Sequence, residues 1–199
     1  MRIAAYKIAS IIYFYFLSIE LMSQNDDHEV LIQNFYTACK AETYGAFSNV
    51  NSGIQLFDTK QYSRSLKNFQ KALKKDNKYC DAYYLIGYCY QKTNDLVRAI
   101  VYCDSALSIE PKNPSALIIK ANTLFLKKDT ATAAELFSRS IELLPEKVDG
   151  YYGYALMMYY LGNNEKARST INVMDQKRVK TPNIREKKKI KALRAMLEQ

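Results

Sequence analysis

The sequence predicts an all-α protein made of stacked helical hairpins, and three features of its 199 residues favour this fold class. Small residues recur every 34 positions through most of the chain. Apolar residues between them follow spacings of three, four and seven, which mark one face of a helix. Only four Pro and six Gly interrupt the chain, and this scarcity favours helices joined by short turns.

The 34-residue period is clearest in four blocks that begin at Ala46, Cys80, Pro114 and Val148. At the eighth, twentieth and twenty-seventh positions of the blocks, eleven of twelve residues are Gly, Ala or Ser. Small side chains let two helix backbones approach closely, so we expect these positions to form the helix–helix contacts. They are Gly53, Gly87, Ala121, Ala155, Ser65, Ala99, Ala133, Ala167, Ala72, Ala106 and Ser140.

Each block is expected to fold as a hairpin of two helices. In the last three blocks the two apolar stretches are separated by turn-forming residues at 93–95, 128–129 and 162–164. Pro111 and Pro145 occupy the same position of consecutive blocks, and proline, which lacks an N–H, is expected to end the second helix there. A hairpin leaves an apolar flank that only the next hairpin can cover, so the blocks must stack.

This pattern resembles the tetratricopeptide repeat (TPR) over four repeats, at 46–79, 80–113, 114–147 and 148–179. The match to the family is strong in the second and third repeats, and in the second it includes Tyr83, Ile86, Gly87, Tyr90, Ala99, Ala106 and Pro111. The chain departs from the family at Asn49, where a large aromatic residue is usual, and at Met174 and Val179 in the last repeat. The resemblance implies a right-handed superhelix of antiparallel helix pairs with a concave inner face.

The family's inner-face positions are mostly aromatic and aliphatic in this chain, and the resemblance therefore implies an exposed apolar groove. Such a stripe usually marks a partner site, and tyrosines combine apolar area with a hydroxyl group. A second copy of the chain, its own N-terminal helix or a different facing of the helices could also account for the stripe. The groove residues are Phe47, Val50, Ile54, Phe57, Tyr84, Tyr88, Gln91, Ile118, Asn122, Phe125, Tyr152, Leu156, Tyr159 and Tyr160.

The carboxylate clamp of co-chaperone TPR domains is not matched by this groove. The family's clamp uses Lys, Asn and Arg side chains, and this chain has Val50, Ile54, Leu85, Ser115 and Ile119 at those positions. Starting one repeat later does not restore the pattern. The resemblance therefore implies a protein or peptide partner held by other contacts.

Both ends of the chain differ from the repeats. Residues 1–23 resemble an export signal, with Arg2 and Lys7 before an uncharged, largely apolar run at 8–19. That run is short for a membrane span, although an uncleaved anchor or a folded helix stays open. Residues 24–45 are predicted to hold an N-terminal capping helix at 27–41, and residues 180–199 a C-terminal one. The predicted location is the periplasm or outside the cell.

The formal net charge of +9 is concentrated at the C-terminus. Residues 176–199 hold nine basic and two acidic side chains, a net of +7, whereas residues 24–175 hold 18 basic and 17 acidic ones. A solvated capping helix with an apolar seam accounts for this, and attraction to an anionic membrane or polymer is the alternative. No nucleic-acid motif is present. The basic residues are Lys177, Arg178, Lys180, Arg185, Lys187, Lys188, Lys189, Lys191 and Arg194.

Catalysis, metal binding and cofactor binding are not indicated by any motif. His28 is the only histidine, it lies in a polar run, and no phosphate-cradling glycine loop is present. Cys39, Cys80, Cys89 and Cys103 lack the paired spacing of a zinc site. They are interpreted as small buried side chains, with one disulfide or a reactive thiol left open. We therefore expect a non-enzymatic scaffold or adaptor of the cell envelope.

Overall fold

The computed structural model describes residues 39–177 and 184–198, and within these ranges it contains nine α-helices and no strand. The helices are α1 (Tyr44–Asp58), α2 (Tyr62–Lys75), α3 (Cys80–Lys92), α4 (Leu96–Ile109), α5 (Pro114–Leu126), α6 (Thr130–Leu143), α7 (Val148–Tyr160), α8 (Asn164–Gln176) and α9 (Ile184–Leu197). Consecutive helices pair as hairpins, and each hairpin packs on the next. The expected all-α class of stacked hairpins is confirmed.

The turn inside each hairpin has the same backbone geometry. Lys60, Asn94, Lys128 and Gly162 adopt left-handed φ angles of 58°, 63°, 71° and 76°, and they lie 34 residues apart. The backbone N–H of the residue after each left-handed one donates a hydrogen bond to a carbonyl in the last turn of the first helix. Examples are Asp95 N–H to Tyr90 O at 2.8 Å and Asn163 N–H to Met158 O at 2.9 Å. These are Schellman turns, which satisfy the carbonyl groups that a helix end leaves free.

The second helices do not depend on proline for their ends. Helices α4 and α6 stop two residues before Pro111 and Pro145, but α2 stops at the equivalent residue, Lys75, where no proline follows. In all three helices the cap N–H bonds to the small residue four positions back, as in Asp76 N–H to Ala72 O at 2.9 Å. The prediction that proline ends these helices is therefore incomplete.

The small repeat residues lie at the helix contacts, and all eleven are buried. A Cβ atom on Gly53 would lie 2.4 Å from the Phe69 ring, and one on Gly87 would lie 3.0 Å from the Ala99 carbonyl oxygen. Ser65 donates its hydroxyl to the Gly53 carbonyl at 2.7 Å. These distances leave no space for a larger side chain, so close backbone approach holds the hairpins together.

The predicted N-terminal capping helix at 27–41 is wrong at its described end, because residues 39–41 are not helical. Cys39 is joined there to Cys80, and the Glu42 N–H donates to Asp76 Oδ2 at 2.8 Å. The rest of that segment lies outside the described residues, as do the predicted leader and His28.

Candidate partner-binding face

The inner face, meaning the fourteen predicted groove residues, divides into three classes of exposure. Phe47 is exposed, at 46%. Half-buried are Ile54, Gln91, Asn122, Tyr152, Leu156, Tyr159 and Tyr160, and buried are Val50, Phe57, Tyr84, Tyr88, Ile118 and Phe125. The expectation of a continuous exposed stripe is therefore wrong for those six buried residues.

The buried part of the inner face packs across neighbouring first helices. The Phe57 ring on α1 stacks on the Tyr88 ring of α3, with centroids 4.5 Å apart. Tyr84 of α3, 1% exposed, shares a hydrogen bond with Ser115 of α5, and burial raises the pKa of its phenol well above the usual value. These rings fill the seams between helices, so they contribute to the core.

Gln91 also turns its amide group inward, toward the third repeat. Its Nε2 donates to the Ile119 carbonyl oxygen at 3.1 Å and to Thr123 Oγ1 at 2.7 Å. Since both partners belong to α5, this side chain ties α3 to α5. Its donor groups are thus engaged within the array.

The inner face of α7 keeps more of its aromatic surface accessible. Tyr152, Leu156, Tyr159 and Tyr160 are all half-buried. The Tyr159 and Tyr160 rings meet edge to face with centroids 5.5 Å apart, and the Lys189 Nζ of α9 lies 5.4 Å from the centre of the Tyr152 ring. Aromatic rings and one cation therefore lie side by side at this end of the inner face.

Helix α9 has an apolar seam against α7 and α8 and a basic outer surface. Ile190, Leu193 and Leu197 are buried in one cluster with side chains of α7 and α8, and Arg194 Nη2 pairs with Asp175 Oδ2 at 2.5 Å. The basic side chains of residues 187, 188 and 191 are exposed, as is Lys177 before the helix. Of the other predicted basic residues, Arg178 and Lys180 and the side chain of Arg185 lie outside the described part.

Two family models match adjoining parts of this chain. A TPR repeat model matches residues 53–94, and a model described as anaphase-promoting complex, cyclosome, subunit 3, matches residues 93–174. Together with the hairpins and their 34-residue period, these matches decide the family. The chain is a tetratricopeptide-repeat protein.

Two curated relatives are much longer than this TPR protein. A TPR repeat-containing protein of Methanocaldococcus jannaschii is 26% identical over 151 residues, covering 74% of this chain and 26% of the relative. An N-terminal acetyltransferase A complex subunit-like protein of Schizosaccharomyces pombe is 30% identical over 109 residues, covering 55% of this chain and 16% of the relative. The chain thus spans about a quarter or less of these two proteins.

Solved structures share the TPR fold at low sequence identity. MamA superposes with a TM-score of 0.57 at 16% identity, covering 76% of this chain and 88% of MamA. The first TPR of Spaghetti, solved with an HSP90 peptide, gives 0.56 at 15% identity, covering 61% of this chain and 97% of that one. These likenesses establish the fold, and the partner has to be inferred from this chain's own surface.

The four cysteines of the TPR protein divide into a bonded pair and two free thiols. Cys39 and Cys80 form a disulfide with Cα atoms 5.7 Å apart. Cys89 and Cys103 are buried, and burial raises the pKa of both thiols, that of Cys89 to about 12. Thiols with raised pKa values are poor nucleophiles, so these two fit the small buried role.

Among the described residues, one group of side chains could gather around a metal ion, namely Cys39, Cys80 and Asp81. The disulfide uses both sulfur atoms of that group. No described helix has the length and apolar character needed to cross a bilayer. Recruitment of α9 to an anionic surface stays a prediction, as does the export signal.

Sequence reasoning missed two features of this face. One is the Lys189–Tyr152 contact, which joins the basic helix to the inner face, and the other is a carboxylate oxygen, Asp58 Oδ1, that is buried without a described hydrogen-bond partner. If the 34-residue period is continued beyond Val148, residue 182 takes the position at which the first helix of a further repeat would begin, next to α7. The period was therefore the sequence signal that could have predicted the Lys189–Tyr152 contact.

Proposed function

We propose that this TPR protein is a scaffold or adaptor of the cell envelope that holds a segment of another protein against the inner face of α7. TPR domains are generally non-catalytic protein-interaction modules, and the family assignment supports that coarse role. The observation that carries the proposal is the half-buried set Tyr152, Leu156, Tyr159 and Tyr160. Aromatic rings that keep part of their surface accessible are typical of binding hot spots.

The partner segment is expected to be apolar where it contacts these rings. Spaghetti holds an HSP90 peptide, but this chain has Val50, Ile54 and Leu85 at clamp positions where the family uses Lys and Asn. An apolar side chain of the partner would bury area against Tyr159 and Leu156, and an acidic one would meet Lys189 near Tyr152. Groove recognition of an extended or helical segment fits this surface.

Two observations support a location in the envelope. The N-terminal residues carry the pattern of an export signal, and the Cys39–Cys80 disulfide is of a kind that persists in oxidising compartments outside the cytosol. The two are independent, because one is a leader pattern and the other a contact between described residues.

The test is a double variant, Tyr152→Ser with Tyr159→Ser, assayed by crosslinking capture from the native envelope. We expect the double variant to capture the partner at least about tenfold less well than the wild-type chain does, as for the loss of one hot spot. The matched control is Val97→Ser with Val101→Ser, an exposed apolar pair on α4, at 64% and 55%, and it should capture the partner normally. Equal capture by all three proteins would place the partner elsewhere.

A further inference from the structure

A cavity lies between the C-terminal helix α9 and the last hairpin of the array. Its volume is about 350 Å³, within the range of about 300–1,000 Å³ that is usual for small-molecule sites. Its apolar side chains come from three helices: Val148 of α7, Met174 of α8 and Ile190 of α9. All three are at most 7% exposed, so this part of the lining is built into the core.

The charged side chains of the same cavity are Lys187, Lys191 and Arg194 of α9 and Asp175 at the end of α8. The Asp175 carboxylate already pairs with Arg194 at 2.5 Å. Lys187 and Lys191 are one helical turn apart, and no described carboxylate pairs with either of them. The cavity therefore has a net positive rim over an apolar floor.

We propose that this cavity binds a single-chain amphiphile with an anionic head group, such as an alkyl phosphate or an alkyl carboxylate. The two lysines hold the head group, and the alkyl chain lies against Val148, Met174 and Ile190. An ammonium group close to a phosphate or carboxylate forms a charge-assisted hydrogen bond. Each methylene placed on the floor adds the usual gain from removing apolar surface from water.

The lining favours an amphiphile over a peptide segment. None of its seven side chains is an amide, a hydroxyl or an aromatic group, so no lining side chain can both donate to and accept from a peptide backbone. The chemistry present is an apolar body with cations at one end. That combination is complementary to a chain with a single anionic end.

This site is separate from the proposed partner face. Lys187 and Lys191 line the cavity, whereas Lys189, midway between them on α9, lies over the Tyr152 ring on the inner face. At 100° per residue, Lys189 points away from the other two. The amphiphile site does not require the proposed partner face, and either proposal can fail alone.

Calorimetric titration of the full chain with decyl phosphate, below its micelle concentration, tests the proposal. We expect wild-type binding, and binding about tenfold weaker in the double variant Lys187→Gln with Lys191→Gln. The matched control is Lys67→Gln with Lys71→Gln on α2, also exposed and also one turn apart, which should bind as the wild type does. Decyltrimethylammonium, with the same chain and a cationic head, should not bind.

A chain-length series on the wild type tests the apolar floor without any variant. From hexyl to octyl to decyl phosphate, the affinity should rise by about fourfold per methylene and level off once the cavity is full. No binding, equal weakening by both double variants, or equal binding of the cationic amphiphile would overturn the proposal. Binding to anionic vesicles without binding of monomeric decyl phosphate would also overturn it, and would assign the lysines to a bilayer surface.

Discussion

The second repeat and the fourth repeat use the same inner-face positions in different ways. Tyr84 and Tyr152 occupy the same position of their first helices, yet Tyr84 is 1% exposed and Tyr152 is half-buried. Helix α3 shares its aromatic seams with α1 and α5, whereas α7 packs on one side against α5 and α6 and on the other against α9. The position in the repeat therefore determines the helix face on which a side chain lies. The neighbouring helices determine whether that side chain is buried in the core or stays accessible to a partner.

The largest expected effect is the loss of a ring from the buried end of the inner face. The Tyr88 side chain is 3% exposed and stacks on the Phe57 ring. Tyr88→Ala removes this stack and leaves a cavity where the ring was. The free energy of unfolding should fall by about 3 kcal/mol or more, measured by urea denaturation. Tyr159→Ala, at the half-buried end, should lower it by about 1 kcal/mol. Similar losses from both would mean that the two ends do not differ.

The disulfide is the second difference between the two ends, because it links the segment before the first repeat to the start of the second repeat. Replacing both Cys39 and Cys80 with Ala should lower the free energy of unfolding by about 2–4 kcal/mol, since the bond closes a loop across 41 residues. A reductant should lower the thermal midpoint of the wild type and leave that of the double variant unchanged. A reductant effect on both proteins, or on neither, would show that the bond does not stabilise the array.

The fold was predictable because the signal is repeated. A small residue at one position says little, but Gly53, Gly87, Ala121 and Ala155 in one frame require the same close approach four times. The turn geometry follows from the same frame, since the left-handed residues Lys60, Asn94, Lys128 and Gly162 share it even though only one is glycine. Local periodicity was sufficient for the architecture.

The exposure of the inner face was not predictable in the same way. The family frame places Tyr88 and Leu156 at the same position, but the stacking of Tyr88 on Phe57 depends on which side chain the neighbouring helix supplies. The disulfide is a long-range feature too. A signal was present, because Cys39 just precedes the first block and Cys80 starts the second, and adjacent first helices lie close together.

The smallest expected effect concerns two carboxylates, one at each end of the array. Asp175 pairs with Arg194 near the C-terminus, whereas Asp58, at the end of α1, has a buried Oδ1 without a described hydrogen-bond partner, and burial raises its pKa above 3.8. Because the folded-state pKa is the higher one, ionised Asp58 destabilises the fold at neutral pH. That cost disappears as the pH falls through the folded-state pKa to about 3.8.

Asp58→Asn should therefore be more stable than the wild type at pH 7, by less than about 1 kcal/mol because the side chain is partly solvated. In urea denaturation, the difference in free energy of unfolding between the variant and the wild type should vanish at about pH 3.5. A difference that stays the same at both pH values would show that the charge of Asp58 is not its source.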